Sequence, residues 1–323
     1  MIGCGQRSWK PGAVSVLVRA LALLAGLMLA GLTLAGLPLA AAGSGYVIQS
    51  TWPKPNDHAA DYGYIDITGI AVGQDGRIYA CQGEPSRHKL LVFAPDGTFL
   101  TSWNTGTLLE EPHSVRVDPD GNVWVADVHT HQIYKFSPDG QYLGALGERN
   151  RPGRTGALLS GPNDLAFAPS GDIYVAEGDG DDVVRFSRDG QLIQRWGRRG
   201  SRPGQFRFNH SIAVDAQNRV YVADRKNKRI QVFTADGQFL AQWKRIGVPF
   251  SLWITPDQRL FMADGHYGKI TVFTLDGQPL LRFGKSGRRP GTLTEPHMLA
   301  VDNEGVIYVA DASGKRITRI DPK

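Results

Sequence analysis

The stretch at residues 123–140, VWVADVHTHQIYKFSPDG, decides the fold of this chain. It contains two short runs, VWVA and IYKF, which are rich in β-branched and aromatic residues and are bounded by turn residues, as in strands. The pair Asp139-Gly140 supplies the positive backbone angles of a tight hairpin into the next strand. The stretch therefore predicts consecutive antiparallel strands and leaves no place for a helix.

The same pattern recurs from Thr68 to the end of the chain at a period of about 40–50 residues, which indicates a repeat architecture. Each copy has an apolar strand, a second strand ending in a small residue and an acid, a third strand, a turn, and a fourth strand ending in an aromatic residue. Four antiparallel strands per copy are typical of a propeller blade, so we predict an all-β, six-bladed β-propeller. The six copies begin near Thr68, His113, Asn163, His210, Phe250 and His297.

The last copy ends at Lys323 after three strands and lacks a fourth. The segment 45–52, GYVIQSTW, precedes the first copy and matches the fourth-strand pattern, with Trp52 in the aromatic position. We therefore predict that this N-terminal strand completes the last blade and that the propeller spans residues 45–323. Pairing of the two ends would hide exposed strand edges.

Residues 1–42 differ from the rest of the chain: Arg7, Lys10 and Arg19 precede an apolar run that ends in Ala40-Ala41-Ala42. This pattern predicts a signal peptide cleaved after Ala42, with an uncleaved membrane anchor as the alternative. The protein is then exported, periplasmic or extracellular, and contacts a membrane only through an uncleaved leader. Without the leader the charge is close to neutral, so we expect no nucleic acid partner. We also expect a monomer.

Histidine occupies the position just before the first strand in alternate copies, at His113, His210 and His297. In a six-bladed ring these positions lie a third of a turn apart, and the first strand of each blade is the innermost one. A single histidine at a strand start is commonly a satisfied polar residue, but three at equivalent positions predict a metal site. Three imidazoles suit Zn²⁺ or a similar divalent ion and leave a coordination position open.

The loops expected on the same face contain the arginine-rich segments GERNRPGRTG, GRRGSRPGQF and GKSGRRPG and the acidic stretch GDGDD at 178–182. Many of these residues are expected to be solvated loop residues. Arginines around a cationic metal would also suit a small-molecule or peptide substrate with an anionic group, such as a carboxylate.

The repeats resemble NHL repeats, and residues 111–233 are similar to the lyase domain of peptidyl-α-hydroxyglycine α-amidating lyase, a six-bladed propeller. The matching strings are PHSVRVDPDGNVWVADVHTHQIYKF, PNDLAF, RPGQFRFNHSIAV and EPHMLAVDNEGVIYVADA. The resemblance implies a catalytic zinc on His113, His210 and His297. It also implies cleavage of the C–N bond of a C-terminal α-hydroxyglycine, which releases glyoxylate and a peptide amide.

The chain departs from that family at three positions. The loop that matches the family's catalytic tyrosine reads EGDGDDV, with Asp179 nearest, and the position of its carboxylate-binding arginine falls near Gln82. Met298 replaces an acid after the last histidine, which argues against the family's structural Ca²⁺.

Two classes of function remain. The first is an exported metal-dependent lyase or hydrolase in which Asp179 or Asp181 accepts a proton. The second is a binding propeller without catalysis. A calcium-dependent lactonase-type propeller using Asn163 and Asp164 is a third reading, but three imidazoles suit a softer ion than calcium.

Overall fold

A computed structural model describes residues 45–49, 52–54, 66–83 and 88–323. These residues form six four-stranded antiparallel sheets, which confirms the predicted all-β six-bladed propeller. The predicted leader at 1–42 lies outside the described residues. Within the described part of the chain, no helix has the length and hydropathy to cross a membrane.

The strands follow the chain order from blade to blade. Blade 1 contains β2 (Ile67–Val72), β3 (Ile78–Gln82), β4 (His88–Phe93) and β5 (Phe99–Asn104), and blade 2 contains β6 (Pro112–Val117), β7 (Val123–Asp127), β8 (Gln132–Phe136) and β9 (Tyr142–Leu146). Blade 3 contains β10 (Pro162–Phe167), β11 (Ile173–Glu177), β12 (Asp182–Phe186) and β13 (Leu192–Trp196), and blade 4 contains β14 (Asn209–Val214), β15 (Val220–Asp224), β16 (Arg229–Phe233) and β17 (Phe239–Lys244), with a 3₁₀ turn at Arg225–Asn227. Blade 5 contains β18 (Pro249–Ile254), β19 (Arg259–Asp264), β20 (Lys269–Thr274) and β21 (Pro279–Phe283), and blade 6 contains β22 (Pro296–Val301), β23 (Ile307–Asp311) and β24 (Arg316–Pro322), with β1 (Tyr46–Ile48) at its edge.

The second strand of each blade is the most deeply buried element. In β11 and β15, for example, all five residues are buried, whereas the first two residues of the fourth strands β13 and β17 are exposed. A strand that is covered on both faces by neighbouring sheets reads as a continuous apolar run, which is what VWVA and IYVA show. The hydrophobic core is accordingly divided into clusters between adjacent blades.

Tryptophans at the ends of the fourth strands of blades 1, 3 and 4 pack against the next blade. The ring of Trp196 lies 6.0 Å from Phe233 of blade 4, and a Cβ added to Gly237 would lie 2.6 Å from the Trp196 ring. Gly237 also has a φ of +72°, so the Asp-Gly turn needs glycine both for its backbone angle and for contact with the preceding blade. The same contact joins Trp103 to Gly140 and Trp243 to Gly277.

The N-terminal strand β1 pairs antiparallel with β24, with Val47 opposite Asp321 and Ile48 opposite Ile320. The sheet of blade 6 therefore has the order β1-β24-β23-β22. Trp52 packs 5.2 Å from Tyr308 of blade 6 and 5.9 Å from Phe93 of blade 1, so it occupies the position of the tryptophans in blades 1, 3 and 4.

A β-bulge at the start of the first strand recurs in all six blades. In blade 2 the pairing with β7 shifts between Pro112 and Ser114, which leaves His113 as the extra residue, and the same shift leaves Asn163 and His210 unpaired in blades 3 and 4. A bulge re-aims the side chain of the inserted residue, so these positions can turn their side chains toward the propeller axis. The equivalent residues in blades 1, 5 and 6 are Thr68, Phe250 and His297.

Candidate metal centre on the propeller axis

The structure brings the three histidines of alternate blades together. The ring centroids of His113, His210 and His297 are 4.6–4.7 Å apart in every pair. One possible ligand atom from each lies within 4.8 Å of the others. His210 and His297 are buried and His113 is half-buried, so the cluster lies inside the channel mouth.

Each histidine is oriented by the blade that follows it. The Nδ1–H of His113 donates to the carbonyl oxygen of Asn163 (2.8 Å), that of His210 to Phe250 (2.6 Å) and that of His297 to Thr68 (2.6 Å). Because a carbonyl oxygen can only accept, these contacts place the proton on Nδ1 and leave the lone pair on Nε2. The Nε2 atom of His210 is buried and has no hydrogen-bond partner among the described residues.

The electrostatics keep these imidazoles neutral. Burial, and then the neighbouring histidines, lower the pKa of His113 and His210 well below its ordinary value of 6.5, and burial lowers the pKa of His297. Neutral imidazole is the form that binds metals. Nitrogens about 2.0 Å from a tetrahedral ion lie about 3.3 Å apart, so small ring movements would let the three reach one ion. The residues therefore fit zinc.

A buried ion pair links the first strands of blades 2 and 3. Arg116 donates two hydrogen bonds to Asp164, from Nε at 2.9 Å and from Nη2 at 2.5 Å, and its guanidinium lies 5.1 Å from the Trp253 ring. Ser211 also donates to Asp164 at 2.6 Å. The carboxylate of Asp164 therefore already accepts hydrogen bonds from Arg116 and Ser211. These contacts give it a structural role and do not favour its use as a calcium ligand in a lactonase-type site. Met298 is buried in an apolar cluster and offers no carboxylate for calcium.

Arg225 is a charged residue beside the histidine cluster that the sequence interpretation did not single out. Its guanidinium lies 3.8 Å from the ring centroid of Phe250 and 5.6 Å from that of Phe208, and no ion pair within the described residues neutralises it. Its positive charge lowers the pKa of all three histidines, and burial lowers its own pKa, while Glu295 acts in the opposite direction. A partly buried guanidinium without an ion-pair partner among the described residues is chemically suited to binding an anion.

A sequence signal for Arg225 does exist. In blades 2 to 6 the residue after the acid that ends the second strand is Val128, Gly178, Arg225, Gly265 or Ala312. Only blade 4 places a charge there. By contrast, Gln82, where the arginine was expected, donates to the carbonyl oxygen of His88 at 2.7 Å within blade 1.

Phe208 forms the wall beside Arg225 in an unusual backbone conformation. Its φ is +60°, which is sparsely populated for a bulky residue, and its N–H donates to Oδ1 of Asp181 at 2.6 Å. Of the two predicted proton acceptors, Asp181 is buried and its Oδ1 already accepts this hydrogen bond. Asp179 is exposed and its carboxylate lies against Gly161, two residues before the bulge of blade 3.

Two other histidines of the same face lie outside the cluster. Nε2 of His129 is 3.2 Å from Glu110, and Nδ1 of His131 accepts from the N–H of Gly161 at 3.1 Å. Both therefore have roles in loop contacts.

Comparison with known proteins agrees with the repeat pattern. A family model for NHL repeats matches residues 109–136 and 206–233. The chain is a six-bladed propeller with NHL repeats. It is 47% identical over 45 residues to peptidyl-alpha-hydroxyglycine alpha-amidating lyase 1 of Drosophila melanogaster, a match that covers 13% of this chain and 8% of that protein. It is 31% identical over 110 residues to NHL repeat-containing protein 3 of Mus musculus, which covers 32% of this chain and 30% of that protein.

Among solved structures, a streptogramin B lyase superposes with a TM-score of 0.60 at 16% identity, covering 85% of this chain and 97% of that structure. This likeness shows the shared fold. The curated matches span less than a third of the relatives' own lengths, so the homology to the amidating lyases is partial.

Proposed function

We propose that this protein is a metal-dependent carbon–nitrogen lyase acting on a substrate that carries an α-hydroxy amide and a carboxylate, such as a peptide ending in α-hydroxyglycine. The observation that carries the proposal is the set of three imidazoles, each tied through Nδ1 to a carbonyl of the next blade so that Nε2 remains available. The partial match to the amidating lyase supports the reaction class.

The proposed substrate is bound first through the negative charge of its carboxylate. Arg225 would bind the substrate carboxylate, because its guanidinium has no carboxylate partner among the described residues and lies beside the cluster. Phe208 and Phe250 flank the guanidinium and exclude water on that side, which strengthens the ion pair that forms there.

His113, His210 and His297 would hold the ion. A bound zinc-like ion supplies a Lewis acid that polarises a substrate oxygen. The carbonyl oxygens of Thr68, Asn163 and Phe250 fix the ring orientations, and such outer contacts commonly raise ligand basicity.

The proton balance needs one acceptor on the protein. Cleavage removes the proton of the α-hydroxyl, forms the carbonyl of glyoxylate, breaks the C–N bond with its electron pair going to nitrogen, and returns one proton to that nitrogen. We assign the acceptor role to Asp179, because it is exposed and lies against Gly161 near the bulge of blade 3, whereas Asp181 is occupied by the Phe208 N–H. The same carboxyl can then return the proton to the amide.

The proposal is tested by metal analysis followed by an assay. We expect one zinc-like ion per chain, and equal amounts of glyoxylate and peptide amide from an α-hydroxyglycine peptide, with activity lost on chelation and restored by Zn²⁺. A protein that binds the ion in full yet cleaves no carboxylate-bearing α-hydroxy amide would instead be the binding propeller of the alternative reading.

A further inference from the structure

The His-bearing face has one half in which every exposed charge is positive. We call this half the basic sector: the connections 197–208, 244–248 and 284–294, and the loops 225–228 and 312–315. Every exposed charged residue in these five segments is lysine or arginine. The acids nearby, Asp224, Asp264 and Asp311, are fully buried, and Glu295 is half-buried.

The charges of the basic sector are largely uncompensated. Arg198, Arg202, Arg288 and Arg289 are exposed and have no carboxylate within ion-pair distance among the described residues. Positive charges that lie close together repel one another and destabilise the folded state. A bound anion would relieve this repulsion, so such a cluster is expected where an anion binds.

The other half of the same face behaves differently. Arg149 pairs with Glu110, Arg151 pairs with Glu148 at 2.5 Å and Arg154 pairs with Asp182 at 3.0 Å. These three arginines are thus neutralised within the protein.

The basic sector is continuous with the candidate metal centre. In blade 4 the N–H of Lys226 donates to the carbonyl oxygen of Arg207 at 3.1 Å, which joins the loop next to Arg225 to the preceding connection. At the other end, Nη1 of Arg316 donates to the carbonyl oxygen of Arg288 at 3.0 Å, and Lys269 donates to Gly284 at 2.5 Å. The positive surface therefore runs around the mouth from blade 4 to blade 6 and reaches inward to Arg225.

We propose that the basic sector selects acidic peptides, whose carboxylate side chains lie along it while the chain terminus reaches Arg225. This inference rests on the proposed function, because it places the end of the peptide at the metal centre. A flat anionic membrane is a poorer fit, since it would also approach the exposed acids Glu111, Glu148 and Asp179 on the other half of the face.

The test is direct binding of labelled peptides to the full chain by fluorescence anisotropy. The peptides end in unmodified glycine, which has no α-hydroxyl and cannot be cleaved, and differ only in three preceding residues: Glu, Gln or Lys. We expect the Glu peptide to bind at least tenfold more tightly than the Gln peptide at about 50 mM salt, and this difference to shrink at about 300 mM salt.

The variant Arg288→Gln/Arg289→Gln should weaken binding of the Glu peptide roughly fivefold and leave the Gln peptide unaffected. The matched control Arg151→Gln/Arg188→Gln removes two exposed arginines outside the basic sector and should change neither. Equal affinities for the Glu and Gln peptides would overturn the proposal. So would binding of anionic lipid vesicles or an oligonucleotide that depends on Arg288 and Arg289 while the Glu peptide shows no preference.

Turnover separates this inference from the proposed function. If the Glu preference is found but no α-hydroxyglycine peptide is cleaved, the acidic-peptide site stands and the lyase reaction is refuted. If Glu and Gln peptides with α-hydroxyglycine ends are cleaved with equal kcat/KM, the lyase stands and the selection of acidic peptides is refuted.

Discussion

Blades 3 and 4 have the same backbone and opposite chemistry at matching positions. At the bulge, blade 3 has Asn163 and blade 4 has His210. In the loop between the second and third strands, blade 3 reads EGDGDD and blade 4 reads DRKNKR. Blade 4 thereby contributes an imidazole and the Arg225 guanidinium, whereas blade 3 contributes a carbonyl oxygen and carboxylates.

The two blades are joined across their boundary. The N–H of Phe208, which leads into blade 4, donates to Asp181 of blade 3, and the side chain of Asn163 donates to the carbonyl oxygen of Asn209 at 2.8 Å. The same backbone frame thus presents an imidazole from blade 4 and, from blade 3, the carbonyl oxygen that orients His113.

The largest effect is expected from an alanine substitution at the bulge position of blade 4, with the bulge position of blade 3 as the comparison. His210→Ala removes one of the three proposed ligands, so metal should be lost and activity should fall at least about 10³-fold. Asn163→Ala at the matching position keeps the carbonyl that orients His113 and should retain the metal, at a stability cost of about 1–2 kcal/mol for the lost amide contact. Metal content and circular dichroism of both variants check this, and metal loss in Asn163→Ala alone would contradict it.

The acidic loop of blade 3 should give the next largest effect. Asp179→Asn removes the proposed proton acceptor and should lower kcat about 10²–10⁴-fold with the metal retained. Asp181→Asn keeps an oxygen for the Phe208 N–H and should leave kcat within a few-fold. The reverse ranking in glyoxylate release would move the acceptor role to Asp181.

Arg225 tests the basic loop of blade 4. Arg225→Gln removes the charge beside Phe250 and should raise KM about 10–100-fold, with a smaller change in kcat, because a charged contact to the substrate carboxylate is lost. The control is Lys226→Gln, which removes the adjacent exposed cation. With a substrate peptide that has no charged side chains, this variant should change KM little. An unchanged KM in Arg225→Gln would exclude its role in carboxylate binding.

The smallest effect concerns stability and again contrasts the two blades. In the hairpin between the second and third strands of blade 3, Glu177 lies opposite Asp182, and Arg195 contacts both of these acids. At the matching positions of blade 4, Asp224 pairs with Arg229. Burial, and then the contact with Asp182, raise the pKa of Glu177 above its ordinary value of 4.5. The folded state therefore favours the protonated form of Glu177. The contribution of this group to the free energy of unfolding is complete below about pH 4.5 and is lost as the pH rises toward the raised pKa of the folded state.

Glu177→Gln should remove this dependence. Between about pH 5 and pH 8.5 the wild type should lose at least about 1.4 kcal/mol more stability than the variant, equivalent to one unit of pKa. Urea unfolding at the two pH values measures the difference. Equal losses in the wild type and in Glu177→Gln would show that this acid pair does not control stability.

Much of the fold could be predicted because its signals are local. The Asp-Gly turns specify hairpins through backbone angles, and the alternation of strand and turn counts the blades. The histidine positions could be aligned for the same reason. Arg225 was overlooked because it lies one residue past a strand end, where a single charge among RKNKR resembles an ordinary solvated loop.

The sequence by itself determined the six repeats, the turn that ends each hairpin and the placement of histidine in alternate copies, since all of these depend on residues close together in the chain. Only the tertiary structure decided which nitrogen of each histidine is available and that Arg225 lies beside the cluster. Those outcomes depend on bulges and on contacts between residues as distant in sequence as Thr68 and His297, whose separation only the closed ring removes.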